Sequence, residues 1–322
     1  MASDKRVVVT AGVANPAIAV MKFVGFLLTG SPAMLSETYH SVSDTGNQVF
    51  LLIGIRYGDR QADRSHPFGY GKAQFFYSFL VSVLLFGIAG WESLTHGYHA
   101  IVAGEGGHLL GGTIHVLGHA FPAVYVNYAV LAGSLVFEGS ALHTAYRSTR
   151  REMSRRGWTG LVEAFHKTSN VSTLTALTED TVSVSGIVIA FVGLLATEVT
   201  GNTVWDGAAA FLIGVLLTTF AVALAWENQR LLIGESVPER DEDELRATVE
   251  HWDGVAGVRD FRTVYFGPNR VLVAADVAFD DGLETAEVDR RITAMEEAIV
   301  SRNGSVRKVY IEPETSASEG GQ

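Results

Sequence analysis

The sequence predicts a polytopic α-helical membrane protein with six transmembrane helices, followed by a small α+β domain outside the bilayer. Runs of mostly apolar residues recur before about residue 230 and none follows it. Each run reaches the roughly 20 residues that are needed to cross a hydrocarbon layer of about 30 Å. The polar segment GESVPERDEDELR then begins at Gly234. We therefore predict a transmembrane domain at residues 1–234 and a second domain at residues 235–314.

The apolar runs place the six spans at Val7–Thr29, Met34–Tyr57, Gln74–Ala100, Ala123–Thr144, Ser172–Val199 and Thr203–Glu227. Lys and Arg residues occur before the first span and in the connections after the second and fourth spans. The three opposite loops, around Gly30, at residues 101–122 and around Gly201, contain no Lys or Arg. Because basic residues concentrate on the cytoplasmic side of a membrane, both termini are predicted to be cytoplasmic.

The second domain is predicted from hydrophobic spacing and turn residues. A helix with an acidic first turn is followed by two strands that are joined at Gly267-Pro268-Asn269, then by a second helix and a short third strand. These elements are Asp241–Trp252, VRDFRTVYF, RVLVAADVAF, Glu284–Val300 and VRKVYIE. The order αββαβ is that of a ferredoxin-like domain with one helical layer on one sheet. Residues 315–322 are predicted to be a disordered tail.

Composition excludes several classes of function. The chain has no cysteine, which rules out disulfides and thiolate metal sites. Its net charge is −11, and this argues against nucleic acid as a partner. Neither a nucleophile–base constellation nor a phosphate-binding loop is present, so we expect neither an enzyme nor an organic cofactor.

The second span carries a row of polar residues where lipid would favour apolar ones. Glu37, His40, Asp44 and Gln48 are spaced i, i+3, i+7 and i+11, so all four lie on one face of a helix. Ionisable residues inside a span normally line a pathway or pair with each other. A buried hydrogen-bonded network that fixes helix packing is one reading. The other is a metal site, because His and Asp at i, i+4 direct two ligand atoms to one point.

Two ligands do not complete a metal site, so another span must contribute. The segment TEDTVSVSG in the fifth span contains Glu179 and Asp180, a pair of neighbouring carboxylates. Glu138 in the fourth span is a further acid, for which a packing role and a proton-carrying role are both open, as they are for Glu37.

These motifs together resemble the cation diffusion facilitator family over nearly the whole chain. The resemblance rests on HSVSD in the second span, SHPFGYGKAQ before the third span, and GVAGVRDFRTVYFGPNRVLV in the second domain. The combination of SETYHSVSDTGNQ with TEDTVSVSG is closest to the branch that contains the mitochondrial zinc transporter of animals. The resemblance implies a homodimer in the lipid bilayer of a cell or organelle that exchanges Zn²⁺ for protons.

Carried over by position, the resemblance implies metal ligands at His40, Asp44 and Asp180. The fourth family ligand is a histidine, but this chain has Ala176 there. Glu179 is the candidate replacement, as ligand, support or proton acceptor. A site with one imidazole and two or three carboxylates is richer in oxygen, which should raise tolerance for Mn²⁺, Fe²⁺ or Co²⁺.

Two further features follow from the resemblance. Asp63 and His66 match a second family metal site, but Tyr70 stands at its third position, so a tight turn is the competing interpretation. Lys72 matches a lysine that pairs with an acid at the dimer interface, and Glu235 is the candidate partner.

The predicted function is proton-coupled efflux of a divalent metal ion by alternating access. Two rivals stay open at this point. A channel would use similar polar spans without proton coupling, and a membrane scaffold or sensor derived from a transporter would not need His40 or Asp44.

Overall fold

The computed structural model describes residues 2–104, 112–116, 119–161, 163–164 and 171–315, without the side chains of residues 2–14, 85–86, 114–119, 156 and 171–175. Of the tail predicted at 315–322, only Thr315 is described, and it ends a strand. Residues 316–322 lie outside the described part of the chain.

The chain forms two compact units. We call the first the membrane unit, which comprises Met1–Gly54, Phe76–Phe165 and Val171–Asn228. The second, the sheet unit, comprises Ile55–Phe75, His166–Asn170 and Gln229–Gln322. The connection between the second and third predicted spans therefore groups with the sheet unit, whereas the predicted sixth span lies wholly in the membrane unit.

Helices occupy the positions of all six predicted spans. They are α1 (Ala2–Thr29), α2 (Pro32–Gly58), α3 (Lys72–Leu84), α4 (Trp91–Ala103), α5 (Val124–Arg156), α6 (Val171–Thr200) and α7 (Val204–Ile233). A π-helical segment, Leu85–Gly90, joins α3 to α4 within the third predicted span. Helix α5 continues well past the predicted end at Thr144, because its extension is rich in Arg and also contains Ala, Glu and Met, which are good helix formers.

By length and composition, the described residues contain three stretches that can cross a membrane: Lys72–Ala103, Ala176–Thr200 and Val204–Ile233. Asn15–Thr29 is a shorter apolar helix. The polar residues of α2 lower its hydropathy, and the arrangement of six spans stays a prediction from the sequence.

A hydrophobic cluster holds the core of the membrane unit together. It joins side chains of α2, α5, α6 and α7, among them Met34, Leu131, Ile187, Leu194 and Ile213. Burial of these side chains against one another fixes the positions of the helices that carry the polar groups described below.

The sheet unit contains α8 (Glu239–Glu250), β3 (Val255–Gly267), β4 (Arg270–Phe279), α9 (Thr285–Arg302) and β5 (Val306–Thr315), in the predicted order. The sheet order is β3-β4-β5, with an antiparallel β3–β4 pair and a parallel β4–β5 pair. Leu245 and Val249 of α8 and Met295 and Ile299 of α9 are buried. Their spacing of four residues places each pair on one helical face.

A β-hairpin in the connection between α4 and α5 was not predicted from the sequence. Strands β1 (Thr113–Val116) and β2 (His119–Pro122) form an antiparallel hairpin between α4 and α5. Residues 105–111 and 117–118 of the same connection lie outside the described part of the chain.

Candidate functional site

The polar face of α2 meets one face of α6 in the membrane unit. Asn47 Nδ2 donates to Glu179 Oε1 at 3.0 Å, and His40 Nε2 lies 2.9 Å from Ser183 Oγ. Further along, a Cβ added at Gly186 would lie 2.4 Å from Glu37 Oε1. As the residue number rises on α6 it falls on α2, so the two helices run antiparallel along this contact.

His40 and Asp44 form the centre of this contact. His40 Nε2 lies 3.5 Å from Asp44 Oδ2, and the two residues are only 1% and 5% exposed. Among the described residues, His40 Nδ1 and Asp44 Oδ1 have no hydrogen-bond partner. A buried polar atom without a partner costs free energy, so these two atoms are suited to binding a group that arrives from outside.

The structure distinguishes the two neighbouring carboxylates of α6. Glu179 is buried at 8% exposure and contacts α2 directly through Asn47. Asp180 is half-buried, because adjacent helical residues point about 100° apart. The charges of Glu179, Asp180 and Glu138 all act on Asp44. Asp44, Glu179 and Asp180, the carboxylates predicted for the first metal site, thus interact electrostatically, and Glu179 is the α6 carboxylate that contacts α2.

At position 176, where the resemblance implies a histidine ligand, the chain has no side chain that can bind a metal ion. Ala176 is half-buried and lies one turn before Asp180 on α6. Its methyl group can donate no electron pair. Ser183, which the sequence analysis overlooked, is the α6 side chain that contacts His40. Its spacing of i+4 from Glu179 was the feature that could have revealed it.

The acidic groups are neighbours without forming a finished coordination shell. No group of three or more His, Asp or Glu side chains within the described part of the chain is arranged to hold a metal ion. Side chains of α2 and α6 would have to come closer together to bind one ion.

A buried lysine, which was not among the predicted site residues, lies beside this group. Lys22 of α1 is fully buried, and its Nζ donates to Glu37 Oε2 at 2.7 Å and to Ser41 Oγ at 2.9 Å. Within the predicted spans, the only other Lys or Arg is Arg56, at the end of its helix. Its place in the interior of an apolar run was therefore the feature of the sequence that could have revealed Lys22 as a candidate functional residue. Glu37 is thus one half of an ion pair.

Glu138 of α5 belongs to the same group of charges. It is buried, and it interacts electrostatically with Lys22 and Glu37. The fourth predicted span therefore contributes a carboxylate to the polar interior, which leaves both of its predicted roles open.

A further buried acid, Asp206 of α7, lies against the N-terminus of α2. Ser31 Oγ donates to Asp206 Oδ1 at 2.9 Å, and the backbone of Ala33 also donates to Asp206. Asp206 of α7 therefore satisfies part of the α2 N-terminus, where backbone N–H groups lack helical partners. Its role is to position the helix that carries His40 and Asp44.

The second predicted metal site is an exposed turn in the sheet unit. Tyr70 Oη donates to Asp63 Oδ2 at 2.6 Å, and Asp63 Oδ1 accepts from the backbone N–H groups of Ser65 and His66. The Tyr70 hydroxyl is the main cause that holds the pKa of Asp63 below its ordinary value. His66 lies 3.7 Å from Asp63. Both oxygens of Asp63 are thus occupied, as in the predicted tight turn.

Replacing Tyr70 with histidine is expected to create metal binding in this turn. The ring of Tyr70 lies 4.1 Å from that of His66, so an imidazole there would stand beside a second imidazole and a released Asp63 carboxylate. Calorimetric titration with Zn²⁺ should give one more bound ion per chain for Tyr70→His than for the unaltered protein. Tyr70→Phe, which releases Asp63 without adding a ligand, should add none.

The predicted pair of Lys72 and Glu235 concerns a contact between two chains. Within one chain, Lys72 Nζ donates to the carbonyl of Leu232 at 3.3 Å, and Glu235 accepts from Arg230. The pairing across a dimer stays a prediction.

Comparison with known proteins gives matches over most of the chain. The family model described as cation efflux transmembrane domain matches residues 8–233. The model described as cation efflux protein, cytoplasmic domain, matches residues 237–316.

Curated relatives agree with these matches. The proton-coupled zinc antiporter SLC30A9, mitochondrial, of Mus musculus is 30% identical over 280 residues, which are 87% of this chain and 47% of that protein. Metal tolerance protein C4 of Arabidopsis thaliana is 25% identical, over 86% of this chain and 57% of that protein. The cation-efflux pump FieF of Pectobacterium atrosepticum is 24% identical, over 91% of this chain and 88% of that protein. The chain spans about half the length of the first of these relatives.

Proposed function

The chain belongs to the cation efflux family, and on that premise we propose that it is a proton-coupled carrier of a divalent metal ion, with Zn²⁺ as the main cargo. Its relatives are transporters and not enzymes, as the sequence predicted. The SLC30A9 relatives are named as proton-coupled zinc antiporters, and this supports both the ion and the coupling.

One observation carries the proposal more than any other. His40 and Asp44 of α2 are buried beside Glu179 of α6, and imidazole and carboxylate are ligands that bind Zn²⁺. We assign cargo binding to His40, Asp44 and Asp180, with Glu179 as the fourth group in place of the family histidine.

Proton coupling follows from the chemistry of these ligands. An imidazole binds a metal ion only when it is neutral, and a carboxylate binds best when ionised. Protons and metal ion therefore compete for the same lone pairs. Protons that enter from the far side can displace the ion, and loss of those protons on the cytoplasmic side restores the site.

The cycle we propose is alternating access in a homodimer. The ion enters with α2 and α6 accessible from the cytoplasm, where both termini lie, and leaves on the opposite side. The family model over residues 237–316 is that of the cytoplasmic domain, and we assign dimer formation to the sheet unit.

A second cargo class is supported by one specific observation. Ala176 supplies no imidazole, and the described polar contacts of the His40 ring are the Asp44 carboxylate and the Ser183 hydroxyl. Oxygen-rich sites suit Mn²⁺, Fe²⁺ and Co²⁺ better than sites with two imidazoles do. A carrier for these ions is therefore the alternative.

Transport by purified protein in proteoliposomes tests the proposal. With an imposed pH gradient and equal Zn²⁺ on both sides, uphill Zn²⁺ movement is expected, and it should stop when an ionophore collapses the gradient. Metal flux that does not depend on the pH gradient would support a channel. Absence of both metal flux and Zn²⁺ binding would support a scaffold. Inhibition of Zn²⁺ transport by Mn²⁺, Fe²⁺ and Co²⁺ then ranks how well the carrier accepts each of these ions.

A further inference from the structure

The ion pair between Lys22 and Glu37 lies inside the membrane unit without access to water. Both side chains are 0% exposed. A buried ion pair is weak evidence for stability, because removing two charges from water costs as much as their attraction returns. The cost in a membrane interior points to a functional reason for the pair.

Lys22 sits beside the residues assigned to the cargo. Its Nζ bonds to Glu37 and Ser41, and its positive charge acts on His40, Asp44 and Glu138. On α2, the step from Ser41 to Asp44 is three residues, or about 4.5 Å along the helix axis. The flexible four-carbon stem of lysine can cover such a distance.

Two carboxylates on α2, one on either side of Ser41, each have an acceptor oxygen that is not used within the described part of the chain. Among the described residues, Glu37 Oε1 and Asp44 Oδ1 lack hydrogen-bond partners. Gly186 leaves the space that the Glu37 carboxyl group occupies, since a Cβ there would lie 2.4 Å from Oε1. The ammonium group therefore has one carboxylate that holds it and a second within reach.

We propose that Lys22 is a tethered cation that competes with the transported metal ion for the carboxylates of α2, and that Glu37 holds it away from the cargo. The inference rests on the proposed function and deepens it. When Glu37 holds the ammonium group, Asp44 is free for the metal ion. When the ammonium group moves toward Asp44, it repels the ion and promotes release.

A purely structural ion pair makes a different prediction. If Lys22 and Glu37 only held α1 against α2, removing either partner would impair folding and metal binding in the same direction. A tethered cation gives opposite directions, because one substitution removes the competing charge and the other releases it toward the site.

Calorimetric titration of the whole chain in nanodiscs with Zn²⁺ distinguishes a tethered cation from a purely structural ion pair. Lys22→Met is expected to tighten Zn²⁺ binding at least tenfold, and Glu37→Gln to weaken it at least tenfold. In transport assays, Lys22→Met should lower KM and kcat together, since the ion leaves more slowly. Ser41→Ala removes a neutral contact of Lys22 without a change in charge, and it should shift the affinity less than threefold.

The double variant Lys22→Met/Glu37→Gln protects the test against misfolding, because it leaves no unpaired buried charge. It should bind Zn²⁺ at least tenfold more tightly than Glu37→Gln alone. Shifts of the same sign for the two single variants, or a double variant no tighter than Glu37→Gln, overturn the inference. If the unaltered protein does not bind Zn²⁺, or binds it equally well after His40→Ala, the proposed function itself has failed.

Discussion

Replacing Asp44 with asparagine is expected to abolish proton-coupled metal transport, with a loss on the order of 100-fold or more, since even residues that only support a metal ligand contribute 10- to 100-fold. The amide keeps the shape of the side chain but removes its charge and one acceptor oxygen. His40, which lies 3.5 Å from Asp44, then has no anionic partner on its own helix. The measurement is Zn²⁺ uptake into proteoliposomes under a pH gradient.

A matched control changes a carboxylate to an amide elsewhere in the membrane unit. Glu198 of α6 is exposed and accepts a hydrogen bond from Tyr128 at 2.7 Å, and Glu198→Gln should transport at nearly the unaltered rate. Zn²⁺ transport by Asp44→Asn that matches this control would remove Asp44 from the site.

Replacing Gly97 with valine is expected to lower the free energy of unfolding of the membrane unit by about 3 kcal/mol, at the upper end of typical overpacking costs. A Cβ at Gly97 of α4 would lie 2.3 Å from the backbone nitrogen of Phe211 in α7. Gly207 and Gly214 of α7 approach α4 in the same way, at Ala100 and Leu94. Small residues allow such close backbone packing between membrane helices, and a backbone atom cannot move aside as a side chain can.

The control for this substitution is Gly133→Val on α5, where an added Cβ meets nothing within 4 Å. Thermal unfolding in detergent should give a clearly lower Tm for Gly97→Val than for Gly133→Val. Equal midpoints for the two variants would contradict the close packing of α4 against α7.

The family and the polar face of α2 could be predicted because both depend on local patterns. HSVSD and SHPFGYGKAQ pointed to the cation diffusion facilitator family, and the matches over residues 8–233 and 237–316 confirm that membership. The spacing of Glu37, His40 and Asp44 places them on one face of any helix, whatever lies opposite. The order of elements in the sheet unit was predicted from spacing and turns for the same reason.

The partners of these residues were harder to predict, since a contact between helices depends on how each helix is rotated. From the sequence, Asp180 was predicted as a metal ligand by its position, and Glu179 only as a candidate for the fourth ligand. In the structure, Glu179 is the residue that contacts α2 through Asn47. Likewise, the π-helical segment Leu85–Gly90 was not predicted from the sequence, which reads as one continuous apolar helix there.

By itself, the sequence determined that this chain is a cation efflux family member with a row of ionisable groups on one helical face. Only the tertiary structure decided that Lys22 of α1 neutralises Glu37 of α2, and that Ser183 of α6 contacts His40. The physical reason is that the position of a side chain around its own helix follows from the helical repeat, which is local. Which charge it meets is set by the packing of helices that are far apart in the chain.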